Sequence, residues 1–241
     1  MSSSAPGNGL ANCRLLYPVE GAASRPGARR AVLSCAVPMI RIRIDRLEKS
    51  FGGPPIFQDV ALEASGGLVA VTGRNGSGKS TLLKILAGLL RASRGSVDLL
   101  RDERVVPAAE RRRLVGWASP EVEFLDELTA AENLELLARA GGSSPTRREI
   151  VARLDRTGLR HPDGRRVAEF SSGMKQRVRL AFSLLWDPPV LLWDEPFSNL
   201  DDEGIGYGLG VIRELRRRGI VFLATNDRRD LESPDGEIAL S

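Results

Sequence analysis

Thiols and imidazoles are nearly absent from this 241-residue chain, which has two cysteines, Cys13 and Cys35, and a single histidine, His161. Both cysteines precede Met39, so the sequence beyond it has no thiol for a disulfide or a cysteine-ligated metal site. Nothing there calls for an oxidising compartment. Long apolar runs are missing too: each is broken by Gly, Pro or a charge well short of the roughly 18–20 residues that cross a bilayer. If the protein works at a membrane, a partner must supply the channel. The net charge is only +4, and four arginines (Arg14, Arg25, Arg29, Arg30) against one glutamate (Glu20) place most of it before Met39. The nearly neutral remainder has no electrostatic reason to seek a polyanion, so no nucleic-acid partner is expected. What is left, 42% hydrophobic and 27% charged, suits one α/β unit with a buried core, with or without an inserted lobe.

Residues 1–38 are rich in Ser, Gly, Ala and Pro and show neither helical nor strand periodicity. They are expected to be a disordered tail or sequence upstream of a true start at Met39. An organellar transit peptide (scattered arginines, little acid) and a secretory core (AVLSCAV after Arg29 and Arg30) are the alternatives.

Order begins after Met39. IRIRID (40–45) alternates with period two, as a strand with one wet face does; IFQDVALEA is a second strand and the more apolar GLVAVTG a central third. SGKSTLLKILAGLL carries apolar residues at helical spacing, and SVDLL, PVLLWD and GIVFLATN are further strands flanked by helical sequence. Strands alternating with helices predict a largely parallel sheet with helices packed on it. Over 117–188, LTAAENLELLARA and SPTRREIVARLDRTG read as successive amphipathic helices, the second with Ser144 placed to cap it before Pro145. This is a helical lobe inserted between core segments 39–116 and 189–241. No internal repeat is present.

GRNGSGKST (73–81) satisfies G-x-x-x-x-G-K-[ST], with a strand before it and a helix after it. Gly73, Gly76 and Gly78 let the backbone around Asn75 curl so that its N–H groups point at phosphates, and the helix aims its positive end at the same place. Lys79 reaches the β- and γ-phosphates, Ser80 ligates Mg²⁺, and Thr81 offers a second hydroxyl. By contrast GIGYGLG (204–210) has glycines every second residue and no strand delivering it, so it is not a dinucleotide loop. PVLLWDEP brings Asp194 and Glu195 to the end of a buried strand, where Asp194 would hold Mg²⁺ or its water and Glu195 would deprotonate an attacking water. FSSGMKQRVRLAFSLL (170–185) is a Ser/Gly turn opening a helix, with donors suited to an anion.

In this order the stretches over residues 40–228 resemble the ATP-binding cassette (ABC) family, the nucleotide-driven engine subunits of membrane transporters. The resemblance implies a P-loop NTPase core with a mostly parallel sheet, an antiparallel β subdomain and an inserted helical lobe, together forming one ATPase domain over 39–241. It implies ATP and Mg²⁺ as cofactors and Phe51 as the ring stacking on adenine. FSSGM (170–174) is similar to the family's signature loop and SNLD (198–201) to its D-loop. A head-to-tail dimer, of two identical or two related subunits, would sandwich each ATP between one phosphate loop and the partner's Ser171 and Gly173.

Three positions depart from the family's pattern. Ser172 and Met174 stand in the signature loop where Gly and Gln are commonest; Pro120 stands where a Mg²⁺-ligating Gln is usual, leaving that role vacant or to Glu121 through water; and Asn226 stands at the histidine position that contacts the γ-phosphate. Asn can bond a phosphate oxygen but cannot carry charge or move a proton, and His161, in an HPDG turn of the lobe, does not replace it. The first half of the helix after the D-loop, with glycines at 204, 206, 208 and 210, is expected to be loose. Arg111, Arg112 and Arg113 read as a solvated edge.

The resemblance implies an ATP-hydrolysing subunit that powers solute transport, in the exporting direction and close to a haem-exporter subset. It would work through a separate transmembrane permease, peripheral on the cytoplasmic face of the cell membrane. The alternatives are a non-transport cassette ATPase, such as an iron–sulfur assembly type, and a hydrolysis-impaired ATP-dependent clamp, which Pro120 and Asn226 suggest. Deleting residues 1–38 should leave nucleotide binding intact; loss of affinity for a fluorescent ATP analogue would show that the leading segment is part of the working protein.

Overall fold

The computed structural model describes residues 39–111, 113–159, 164–227 and 233–240. The expectations for residues 1–38, Arg112 and His161 therefore lie outside the described residues.

Two sheets carry the fold. An antiparallel sheet has the order β2 (Phe57–Ala64), β1 (Ile40–Lys49), β4 (Arg94–Arg101), β5 (Arg104–Val105). Along β1 the alternation seen in the sequence is a real pleat: Ile40, Ile42 and Ile44 are buried, while Arg43 and Asp45 face out. The second sheet is parallel throughout, in the order β6 (Val115–Ala118), β7 (Val190–Asp194), β8 (Ile220–Ala224), β3 (Gly67–Gly73), β9 (Gly236–Leu240). Every residue of β7 and β8 is buried. This is why both strands read as continuous apolar runs: helices cover both faces, and no position can be polar without losing its water. β9 has no clear mark in the sequence; its alternating GEIAL is too short to signal a strand alone, and it is held by pairing with β3.

Helices α1 (Lys79–Leu86) and α6 (Asp202–Leu215) belong to separate apolar clusters. One gathers Leu82, Leu83 and Leu86 with Val71, Leu192 and Phe222; the other gathers Val211, Ile212 and Leu215 with Leu191, Trp193 and Leu223. A third cluster joins α3 (Ala130–Ala140) and α4 (Arg147–Arg156) to α5 (Ser172–Ser183), through Leu134, Ile150, Leu154 and Val178. α5 also sends Leu180 into the cluster around Trp193, so this one helix contributes to both. A four-residue helix, α2 (Ala108–Arg111), precedes β6. Among the described residues no helix is long and apolar enough to cross a membrane.

Several local expectations are corrected. The cap of α4 is Thr146 and not Ser144: Thr146 accepts from the Glu149 N–H and Glu149 accepts in return from the Thr146 N–H, a reciprocal capping box. The same T-x-x-E device opens α3 at Thr129 and Glu132. Arg111 is half-buried and not freely solvated; its guanidinium donates to the carbonyls of Val106 and Val97, tying the segment before β6 to β4. Nor is α6 loose at its start. Asp201 caps it at Gly204 N–H, and Gly204 and Gly208 are buried, a Cβ on Gly208 falling 2.6 Å from the Phe197 ring.

Gly206 and Gly210 are exposed, and a Cβ added at either would meet nothing within 4 Å, so there the glycines only cost backbone entropy. Gly206→Ala and Gly210→Ala should each stabilise by about 1 kcal/mol, raising Tm by roughly 2–4 °C, whereas Gly208→Ala should lower it. Thermal melts of the three variants decide whether the alternate glycines are two packing residues and two spare ones.

Candidate nucleotide site

The register of the parallel sheet gathers the chemistry. Asp194 pairs with Ala224 at the ends of β7 and β8, and Ala224 with Val71 two residues before the end of β3. The residues that follow these strand ends, the phosphate loop after Gly73, Glu195 after β7 and Asn226 after β8, therefore leave the sheet at one edge. A cavity of about 380 Å³ opens there, lined by Ile56, Asn75, Gly76, Gly78, Lys79, Ser80, Thr81, Asp194, Glu195 and Asn226. The residues expected from the phosphate loop and the two strand ends thus come together with Gly73 at their base, and Ile56, which carries no motif signal, joins them.

The loop needs its glycines. Gly78 sits at φ 96°, and a Cβ on it would lie 2.6 Å from Ile56; one on Gly73, at φ 151°, would lie 2.5 Å from the Leu240 carbonyl oxygen. The first turn of α1 has no acidic residue, and its N-cap, Gly78, offers no side-chain bond, so its N–H donors are left for an anion. Lys79 is buried, its ammonium donating to the carbonyls of Gly73 (3.0 Å) and Arg74 (3.3 Å) and to Asn226 Oδ1. An ammonium only donates, so it is the oxygen of the Asn226 amide that turns to Lys79, leaving the NH₂ to face elsewhere.

Asp194 is 3% exposed. Burial pushes its carboxyl up from the ordinary range, opposed by the Ser80 hydroxyl bonded to it and by the charge of Lys79. A carboxylate and a hydroxyl in contact are hard oxygen donors of the kind Mg²⁺ takes, and one Mg²⁺ would relieve the buried charge, so the residues present fit that ion. Ser80 and Asp194 would hold it, and it would supply charge neutralisation to a bound phosphate. Glu121 is near enough for its charge to help raise the Asp194 carboxyl, and its own carboxylate meets Lys84 of α1 at 2.7 Å. Among the described residues no cluster of three or more His, Cys, Asp or Glu could hold a metal by itself.

Glu195 lies in the left-handed region at φ 48°, a conformation that costs a non-glycine residue about 1–2 kcal/mol. Its N–H continues the sheet ladder to the Ala224 carbonyl at 2.8 Å. The strained backbone turns the chain out of the strand at the point where Glu195 lines the cavity.

Two expected groups lie outside this cavity. Phe51 is 65% exposed, with the Lys49 ammonium 4.5 Å from its ring centroid. Ser171, the N-cap of α5 accepting from Met174 N–H, and Gly173 line a separate cavity of about 580 Å³ with Asn199 and Asp201. Asp201 caps α6 and pairs with the buried guanidinium of Arg177 at 2.6 Å; the Gly204 N–H and then Arg177 hold its carboxyl below the usual range. Within one chain the signature-like loop and the phosphate loop line two separate cavities.

The ABC transporter family model matches residues 58–198, and that stretch contains the phosphate loop, Asp194, Glu195 and the signature-like loop. The chain belongs to the ABC transporter family. It is 34% identical over 219 residues to the sulfate/thiosulfate import ATP-binding protein CysA of Mesorhizobium japonicum, covering 84% of this chain and 61% of that one. It is 33% identical over 186 residues to the lantibiotic transport ATP-binding protein SrtF of Streptococcus pyogenes, covering 77% of this chain and 79% of that one. A solved ATP-binding subunit of an ABC transporter superposes with a TM-score of 0.72 at 28% identity, covering 83% of this chain and 85% of that one. The cassette spans less than two thirds of CysA's length.

Because burial raises the folded carboxyl of Asp194, its ionised form is a net cost to the empty fold: absent at low pH, the cost grows as pH rises above the unfolded value and is complete above the raised pKa. Asp194→Asn should therefore raise the Tm of the nucleotide-free cassette at pH 8, by about 2–4 °C per kcal/mol recovered, with the gap closing as the pH is lowered. Mg²⁺-dependent nucleotide binding should be lost in the same variant.

Proposed function

We propose that the cassette binds and hydrolyses ATP as the engine subunit of an ABC transporter, driving solute through a separate transmembrane permease. The observation that carries the reading is the meeting of Lys79, Ser80, Asp194 and Glu195 in one cavity at the edge of the parallel sheet. Lys79 and the N–H groups of the loop around Asn75, Gly76 and Gly78 bind the phosphates. Ser80 and Asp194 hold Mg²⁺, and Thr81 adds a hydroxyl. Glu195 takes the proton of the attacking water, and Asn226 offers its NH₂ to the γ-phosphate while its oxygen keeps Lys79 in place. Phe51 takes adenine on the ring face away from Lys49.

The separation of Ser171 and Gly173 from the phosphate loop favours a head-to-tail dimer, in which each nucleotide is closed over by the second subunit. Hydrolysis would release that closure. A cassette without a membrane-crossing helix among its described residues reaches the membrane through its permease, on the cytoplasmic side where ATP is available. CysA is named for import and SrtF for lantibiotic transport, so the proposal covers the powering step and leaves direction and cargo to the permease.

Glu195→Gln should bind ATP with the parent's affinity and lose phosphate release by roughly 100-fold or more; hydrolysis at the parental rate would refute the assignment of the base. Asn226→Ala should lose activity while Asn226→His keeps or raises it, measured as phosphate release at saturating ATP. Indifference to both would make Asn226 a bystander.

A further inference from the structure

Glu195 can work only if its strained backbone is held from both sides. On the N–H side the sheet does so, through Ala224. On the carbonyl side the Ser198 N–H donates to the Glu195 carbonyl at 3.3 Å, and a side chain from another element joins it: Gln176 of α5, 2% exposed, whose Nε2 donates to the carbonyl of Pro196 at 2.9 Å and approaches that of Glu195 at 3.4 Å.

A glutamine amide has two ends of opposite sense, and its orientation decides whether the Pro196 carbonyl meets this donor and the Glu195 carbonyl a second one. Arg179, one turn further along α5, settles the sense: its Nη1 donates to Gln176 Oε1 at 3.2 Å. A guanidinium has donors only, so facing it the amide must present oxygen and must therefore present NH₂ to Pro196 and Glu195. Arg179 is itself anchored, its Nε donating to the Val122 carbonyl at 2.8 Å in the loop after β6. Half-buried and desolvated, it has the negative charge of Glu123 nearby to balance it. On the preceding turn Lys175 meets Asp126 at 3.0 Å, so α5 grips the 122–126 loop twice and the Glu195 turn once. Pro120 opens that same loop and has no side-chain donor or acceptor, so no side chain can link the loop to the cavity from that position.

We propose that Arg179 is a positioning residue for hydrolysis: by fixing the orientation of the Gln176 amide it holds the backbone of the Glu195–Pro196 turn, and it ties that turn to the loop after β6. The inference rests on Glu195 being the base that activates water. It assigns Arg179 no contact with nucleotide, so its loss touches the chemical step and leaves binding alone.

The test is steady-state ATP hydrolysis by the full chain, with ATP affinity measured separately by a fluorescent analogue. Arg179→Met should lower kcat by roughly 10- to 100-fold, the usual cost of a misplaced catalytic group, with KM and ATP affinity within about two-fold of the parent. Arg179→Lys, still a donor-only cation, should recover most of kcat. Gln176→Leu should lower kcat to a similar extent, and the double variant Arg179→Met/Gln176→Leu should be no slower than the slower single one, as expected of two residues acting in series. Gln176→Leu and Arg179→Lys are read in the same way if the Met variant melts below the assay temperature. Unchanged kcat in the Gln176 variant, additive losses in the double variant, or a KM that rises with the fall in kcat would overturn the proposal. Glu195→Gln, run alongside, separates the two readings. If it abolishes hydrolysis and the Arg179 and Gln176 variants do not slow it, the relay is wrong; if it leaves hydrolysis intact, the base is wrong.

Discussion

Parallel strand register is the constraint on which the candidate site depends. β7, β8 and β3 run the same way with Asp194 level with Ala224, and Ala224 level with Val71. Their carboxyl ends, and with them a lysine, a hydroxyl, two carboxylates and an amide drawn from distant parts of the sequence, arrive at one edge. The strands can be parallel because helices cover both faces, and that covering demands the unbroken apolar runs of β7 and β8. The same hydrophobic burial that stabilises the core therefore also aligns the polar residues.

The site itself is built from features that work against stability. Asp194 is ionisable and buried, Glu195 sits at positive φ, and Gly73 and Gly78 occupy conformations that leave no room for a side chain. Each persists because its surroundings over-determine it: Ser80 and Lys79 beside Asp194, the Ala224 ladder bond and Gln176 on either side of Glu195, Leu240 and Ile56 against the glycines. β9, inconspicuous in sequence, belongs to this support, since its last carbonyl closes over Gly73. Regions of stored cost held by packing from several elements are where a change in one element is felt at another. The contacts of α5 with both the 122–126 loop and the Glu195 turn are an instance.

Local signals are legible where one short segment decides the outcome. The spacing of GRNGSGKST and the apolar runs before Asp194 and Asn226 point to the cavity, and period-two alternation in IRIRID marks the pleat of β1. The misses share a cause, which is that a residue's neighbours across the fold cannot be read from its own segment. Ser144 and Thr146 are both competent caps, and the helix axis chose Thr146, whose Glu149 can reach back. Arg111 reads as solvated until β4 supplies carbonyls for it, and the glycines of α6 read as equivalent until Phe197 and Arg177 pack against two of them and leave two bare.

By itself the sequence determined the family, the alternating α/β class, and the identity of most groups that line the candidate cavity, because those are set by contiguous motifs whose backbone geometry is local. Only the tertiary structure decided which carboxylate is desolvated, that Asn226 turns its oxygen to Lys79, that Glu121 pairs with Lys84, and that the signature-like loop stands apart from the phosphate loop within one chain. Those are relations between residues far apart along the chain. Their energies come from burial and hydrogen-bond geometry, which do not exist until the sheet has closed over its core.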